Sequence, residues 1–135
     1  MPTIRAVVAL NQSRPAEAIE LLRAAVPYEL GTPLSSAPGF YGILYPVYVR
    51  GVTYLAAQQG AEAATEFQKI LDRRPLVVSD PIAALAPLQL GRALAISGDE
   101  VKARTAYRDF LTLWKDADQD IPILAQARAE YAKLP

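Results

Sequence analysis

The chain contains no cysteine and no histidine. Disulfides, cysteine nucleophiles, Cys/His zinc sites and histidine-based triads are therefore excluded. It also lacks an excess of either charge. Lys+Arg and Asp+Glu both number 14, so the formal net charge is zero. A dedicated nucleic-acid binder needs a basic surplus to neutralise phosphates, so no nucleic-acid partner is expected. The same balance gives no electrostatic attraction to an anionic membrane. No apolar run reaches the roughly 20 residues that span a bilayer, so no membrane insertion by this segment is expected. The N-terminal stretch MPTIRAVVALNQ is too short in its apolar part for a signal-peptide core. It reads as the middle of an amphipathic helix, and the expectation is that natural chain precedes Met1.

What is present suits one compact domain. The 135 residues are 52% hydrophobic and 21% charged, enough apolar material for a core and too much for a disordered tail.

Apolar periodicity and helix-boundary residues place seven helices and no strand. The first covers about residues 3–11, with Ile4, Val7, Val8 and Leu10 as its apolar stripe. The second starts at Pro15, a residue favoured at the first helical position, and runs to about Val26, where Pro27 stops it. Residues 27–40 form a long loop dense in breakers, either mobile or anchored by Tyr28, Leu30 and Leu34. The third helix begins between Phe40 and Tyr45 and runs to Gln59, with Gly60 ending it. The fourth covers Glu62 to about Arg73. Asp80-Pro81 caps and opens the fifth, which runs to Ser97 with Pro87 bending it. The sixth covers Glu100 to about Lys115, and the seventh residues 121–133, with Asp120 as its cap. Leu76-Val77-Val78 is β-prone but too short and isolated for a sheet.

One spacing recurs forty positions apart. Gly51, Tyr54, Ala63 and Phe67 are followed by Gly91, Leu94, Ala103 and Tyr107. Glycine with residues at +3, +12 and +16 is the pattern of a repeated helical hairpin, in which small residues let two helices cross closely and large ones fill the gap. The second copy, LGRALAISGDEVKARTAYRDFLTLW, resembles the tetratricopeptide repeat (TPR) in its Leu90-Gly91 pair, turn glycine Gly98, Ala103 and Tyr107. The first resembles it at Gly51, Tyr54, Ala63, Phe67 and the terminal Pro75, although its turn glycine, Gly60, falls two residues late. Lys115 and Leu94 depart from the family's proline and tyrosine. Ile70 and Phe110 replace a usual alanine, which should widen the packing between repeats. Helices one and two form a weaker copy through Ala6, Ala18, Leu22 and Ala25.

The resemblance implies an all-α fold: a TPR-like right-handed superhelix of antiparallel helix pairs, 3–26, 41–73 and 81–115, closed by a C-terminal capping helix at 121–133. A narrower likeness, carried by PTIRA, AVPYELG, LYPVYVRG, GAEAATEFQKIL and AYRDFLTLWKDADQDIPIL, is to the C-terminal TPR segment of bacterial serine/threonine protein kinases. It implies an accessory domain of a signalling chain. The kinase's glycine-rich loop, catalytic loop and DFG triplet are all missing here, so no kinase activity is expected of this segment.

Candidate chemistry is sparse. Asp116, Asp118 and Asp120 alternate as in a calcium loop, but the required glycine at the sixth position and glutamate at the twelfth are Ile121 and Ala127. Arg73-Arg74 suits the negative end of a helix dipole. Glu100 and Arg104 suggest a surface ion pair, and Glu62 and Glu66 no catalytic couple. No catalytic, cofactor or metal site is expected. Tyr41, Tyr45 and Tyr48 share a helical face, either packed beneath the long loop or lining an aromatic groove.

In TPR arrays the first helix of each pair lines the concave face. Carried over, this implies a partner-binding groove of Thr3, Val7 and Asn11, then Tyr45, Tyr48, Val52 and Leu55, then Leu85, Leu88, Gln89, Arg92 and Ile96. Arg92 is its only charge, so an apolar or aromatic protein or peptide partner, or a second copy in a homodimer, is expected in preference to an acidic tail.

Overall fold

The computed structural model describes residues 1–29 and 42–135, and these form an all-α fold. Seven α-helices follow in order: α1 (Pro2–Asn11), α2 (Pro15–Arg23), α3 (Tyr45–Ala56), α4 (Gly60–Leu71), α5 (Pro81–Ser97), α6 (Glu100–Leu113) and α7 (Pro122–Lys133). Short 3-10 turns at Val26–Tyr28 and Arg74–Leu76 end the first two helix pairs. Most of the long loop expected at 27–40, with Leu30 and Leu34, lies outside the described residues, and so does Tyr41 of the expected tyrosine face.

The helices stack in sequence. Within each pair the helices pack side by side, α2 packs on α3 and α4 on α5, while α1 touches α3 and α3 touches α5 directly. The core is accordingly divided along the stack. Ala6, Ala9, Ala18 and Leu22 close the first pair against Val49 of α3. Leu44, Val47, Phe67, Ile70 and Ile82 fill the space among α3, α4 and α5. Leu88, Tyr107, Phe110, Leu124 and Ala127 join α5, α6 and α7.

The recurring glycines explain the close crossings. A Cβ at Gly51 would lie 2.7 Å from Cζ of Phe67, and one at Gly91 would lie 2.8 Å from Cδ2 of Tyr107. In both of these pairs the glycine of the first helix receives the aromatic ring sixteen positions later. Any larger residue there would push the hairpin open.

Gly60 does something different from what its sequence position suggests. It does not end α3, which stops at Ala56; it is the first residue of α4 and is buried. A Cβ there would come within 2.6 Å of the Ala93 carbonyl oxygen and 2.7 Å of the Ser97 nitrogen. It thus lets the start of α4 rest on the backbone of α5. The turn residue equivalent to Gly98 is Gln58, forty positions earlier, and both take the left-handed conformation (φ 59° and 82°). Ser13, between α1 and α2, has φ 57°. All three hairpins therefore turn alike: one left-handed residue, one further residue, then the second helix. Glutamine and serine accept a strain that glycine would not feel.

Other boundary expectations are also corrected. Asp80 stands at the start of α5 but its side chain does not cap it. Its carboxylate, 5% exposed, accepts the Gly42 N–H at 3.1 Å and fixes the backbone entering α3. Asp120 makes no cap either, because Ile121 occupies the cap position of α7. Arg104 does not pair with Glu100. It donates to the backbone oxygens of Leu134 and Pro135, both at 2.7 Å, and lies over the Tyr131 ring. Arg73 does reach back to the Lys69 carbonyl at 3.4 Å, as a cation at a helix C-terminus should. Pro87 is buried inside α5 without ending it. Its ring cannot donate to the carbonyl four residues back, at Ala83, and beside that gap the Trp114 indole N–H donates to the Ala84 oxygen at 3.3 Å.

Candidate functional site

The expected groove residues lie at very different depths. Tyr45 and Ile96 are 37% and 39% exposed, and Val7 and Asn11 are also on the surface. Thr3, Tyr48, Val52, Leu55, Leu85, Gln89 and Arg92 are half-buried. Leu88 is the exception: it is completely buried against α6 and α7 and presents no surface to solvent. Its place on the α5 stripe faces the next hairpin, so the expectation that it lines the groove is wrong.

Tyr48, Gln89 and Arg92 are joined in one polar chain across α3 and α5. Gln89 donates its amide N–H to the Tyr48 hydroxyl oxygen at 3.1 Å, and Arg92 donates to the Gln89 amide oxygen at 3.3 Å. Tyr48 also meets Phe67 edge-on, with centroids 5.7 Å apart. Burial pushes the Tyr48 hydroxyl above its ordinary pKa, against the opposing effect of Gln89. It remains a neutral donor and acceptor at physiological pH.

The chain continues into α7. Arg92 forks onto Glu130, with Nε at 2.8 Å from one carboxylate oxygen and the second nitrogen at 2.9 Å from the other. The Tyr107 hydroxyl donates to the same carboxylate at 2.8 Å. Burial alone would raise the Glu130 pKa, but the Arg92 and Tyr107 hydrogen bonds outweigh it and hold it below the ordinary value. Tyr107 is raised, first by burial and then by the carboxylate beside it. Burial likewise disfavours the charged Arg92, and its bonds to Glu130 more than restore it. Bidentate pairing of this kind is the strong form of an ion pair. The sole cation of the expected groove is thus already engaged within the chain.

The chain matches no protein-family model and no curated protein. Function must therefore be argued from these residues alone.

Two features escaped the sequence. The first is a buried charge cluster. Arg50 of α3, only 4% exposed, donates to Glu66 of α4 at 2.6 Å and to Glu29, which follows the first 3-10 turn. Lys69 holds the other Glu66 oxygen at 2.8 Å. Burial disfavours the Arg50 charge, and the two carboxylates more than compensate, raising its pKa. The second is a cleft of about 670 Å³ on the opposite, second-helix face. Leu90, Leu94 and Pro87 of α5 form its apolar floor, between Gln68 of α4 and Thr105 of α6. Ile70 and Phe110, both fully buried, occupy the positions that sequence suggested would spread the repeats. The cleft's lining mixes both charges, and Lys69 and Lys102 are already paired with Glu66 and Asp99.

Proposed function

We propose that this chain is a non-catalytic protein-interaction scaffold of TPR-like helix pairs that binds a protein or peptide segment on the face formed by its first helices, α3 and α5. The observation that carries this reading is the surface left over once the core is filled. Tyr45 and Ile96 remain exposed, Val52 and Leu55 remain half-exposed, and the Tyr48–Gln89–Arg92 chain ties the two helices into one rigid platform. Aromatic and aliphatic anchors on a fixed polar frame are what a peptide-binding surface requires. The likeness to kinase-linked TPR segments suggests that the scaffold serves a larger bacterial signalling chain.

The test uses peptides selected from a random library on the purified chain. Tyr45→Ser with Ile96→Ser should weaken the selected peptides at least about tenfold, the cost of one to two buried anchors. Each side chain keeps more than a third of its surface exposed, so the double variant should stay folded, and its melting point is measured before binding is scored. Thr105→Arg, which obstructs the opposite cleft, should have no effect. The reverse pattern would place binding in that cleft and overturn the reading. Tyr48 and Arg92 are unsuitable targets, because each holds neighbouring helices.

A second reading, self-association, is favoured by α1. Ile4 and Val8 are 62% and 49% exposed there and form an outward apolar stripe. It predicts a concentration-dependent dimer in sedimentation equilibrium, and a monomer at every concentration would dismiss it.

A further inference from the structure

The Arg92 seat has an occupant of known chemistry: the chain's own α7. That helix fully buries Leu124 and Ala127, with Ile123 and Tyr131 partly buried beside them, whereas α5 fully buries six residues. Beside that apolar contact, its attachment is polar and reachable by solvent. The Arg92 and Glu130 side chains are 22% and 27% exposed. Tyr131 stacks on Tyr107 at 6.2 Å, and Arg104 holds the backbone just beyond the helix. The segment joining α6 to α7 carries Asp116, Asp118 and Asp120, all exposed. Polar attachments on a helix that buries fewer residues than its neighbours are contacts a competitor can replace one for one.

We propose that α7 is a displaceable internal ligand, and that the Arg92 seat is built to take a partner helix presenting a carboxylate followed directly by an aromatic ring, as Glu130-Tyr131 does. This rests on the scaffold reading and extends its face beyond the apolar anchors. It also reverses the expectation that acidic segments are excluded, because the one groove cation, Arg92, is held by a glutamate now. In the closed state α7 masks the seat. A partner helix competes for Arg92 and Tyr107, and α7 is released on its polar tether. The competition is intramolecular, so α7 enjoys a high effective concentration and only a well-matched helix displaces it.

The experiment uses the full chain and a labelled synthetic peptide spanning residues 119–135. Glu130→Gln in the chain removes the charge that holds α7 while keeping its shape. The peptide should bind this variant about tenfold more tightly than the wild-type chain, the worth of one charge-assisted bidentate pair. The same change in the peptide alone, which leaves the protein untouched, should remove the gain. Hydrogen exchange should show α7 of the variant opening about tenfold more often while α3 and α5 are unchanged. Equal peptide affinity for both chains, no binding to either, or α7 exchange only through global unfolding would overturn the proposal. None of those results touches the Tyr45/Ile96 test, so failure here is distinguishable from failure of the scaffold reading.

Discussion

Replacing Arg50 by methionine tests what joins the first helix pair to the rest of the stack. The substitution keeps the stem and its packing but removes the charge. Glu66 and Glu29 are then left with side chains 8% and 14% exposed and without their guanidinium. Removing one partner of a buried ion pair costs about 3–5 kcal/mol, because the remaining charge is stranded. Two features favour the lower end of that range. Lys69 still neutralises Glu66, and Glu29 is close enough to the surface to find water. We therefore expect a loss of about 3 kcal/mol, which lowers the melting temperature by roughly 10 °C for a chain of this size. Adding Glu66→Gln to Arg50→Met should recover part of the loss, leaving a coupling energy of at least about 1 kcal/mol between the two positions. Urea melts followed by circular dichroism measure both quantities. A loss below about 1 kcal/mol, or strict additivity, would refute the view that this cluster is desolvated and coupled.

Two residues apart, Gln58 and Gly60 should respond in opposite directions to exchange with a small residue. Gln58→Gly relieves a left-handed backbone and should stabilise by about 0.5–1 kcal/mol, whereas Gly60→Ala forces a methyl against the α5 backbone and should cost about 1–3 kcal/mol; urea midpoints check both. Gly51→Ala should be similarly costly through the Phe67 ring, and Gly51→Ala with Phe67→Leu should be less than additive in the same melts. The carboxyl of Glu130 is held below its ordinary value in the folded chain, so its contribution is present above about pH 4.5 and is lost as pH falls through the lowered value. The stability difference between wild type and Glu130→Gln should therefore shrink below that pH, as read by melts on either side of it. Trp114, the only tryptophan, donates to the Ala84 oxygen and lies tilted against the Phe110 ring, so its emission should report opening of the α5–α6–α7 region.

The helix positions are legible because their ends carry strong local signals, such as Pro15, Pro81 and Gly98. The paired crossings were legible too: Gly51 with Phe67, and Gly91 with Tyr107, recur at a fixed distance that only a close helix crossing explains. Arg50 was harder to read, because a lone arginine in an amphipathic helix usually faces water. A signal did exist. Val47, Arg50, Gly51 and Tyr54 form one inward stripe at helical spacing, and Glu66 lies on the Ala63–Phe67–Ile70 stripe of α4. A charge within each of two facing apolar stripes marks a buried pair. Nothing local could have revealed that Asp80 holds Gly42, that Glu130 takes Arg92, or that Leu88 faces the next hairpin, since each depends on how distant helices meet. Gly60 misleads for a physical reason: a glycine's backbone freedom points to a turn, whereas this chain uses its missing side chain for close approach and leaves the turn to Gln58.

The most direct test of the interaction face is backbone amide shift mapping on the isotopically labelled chain, titrated with a library-selected peptide. The perturbed amides should cluster at Tyr45, Val52 and Leu55 of α3 and at Gln89, Arg92 and Ile96 of α5, with those of Gln68 and Thr105 unmoved. Perturbations centred on Gln68, Leu94 and Thr105, with α3 silent, would contradict this and place recognition on the second-helix face.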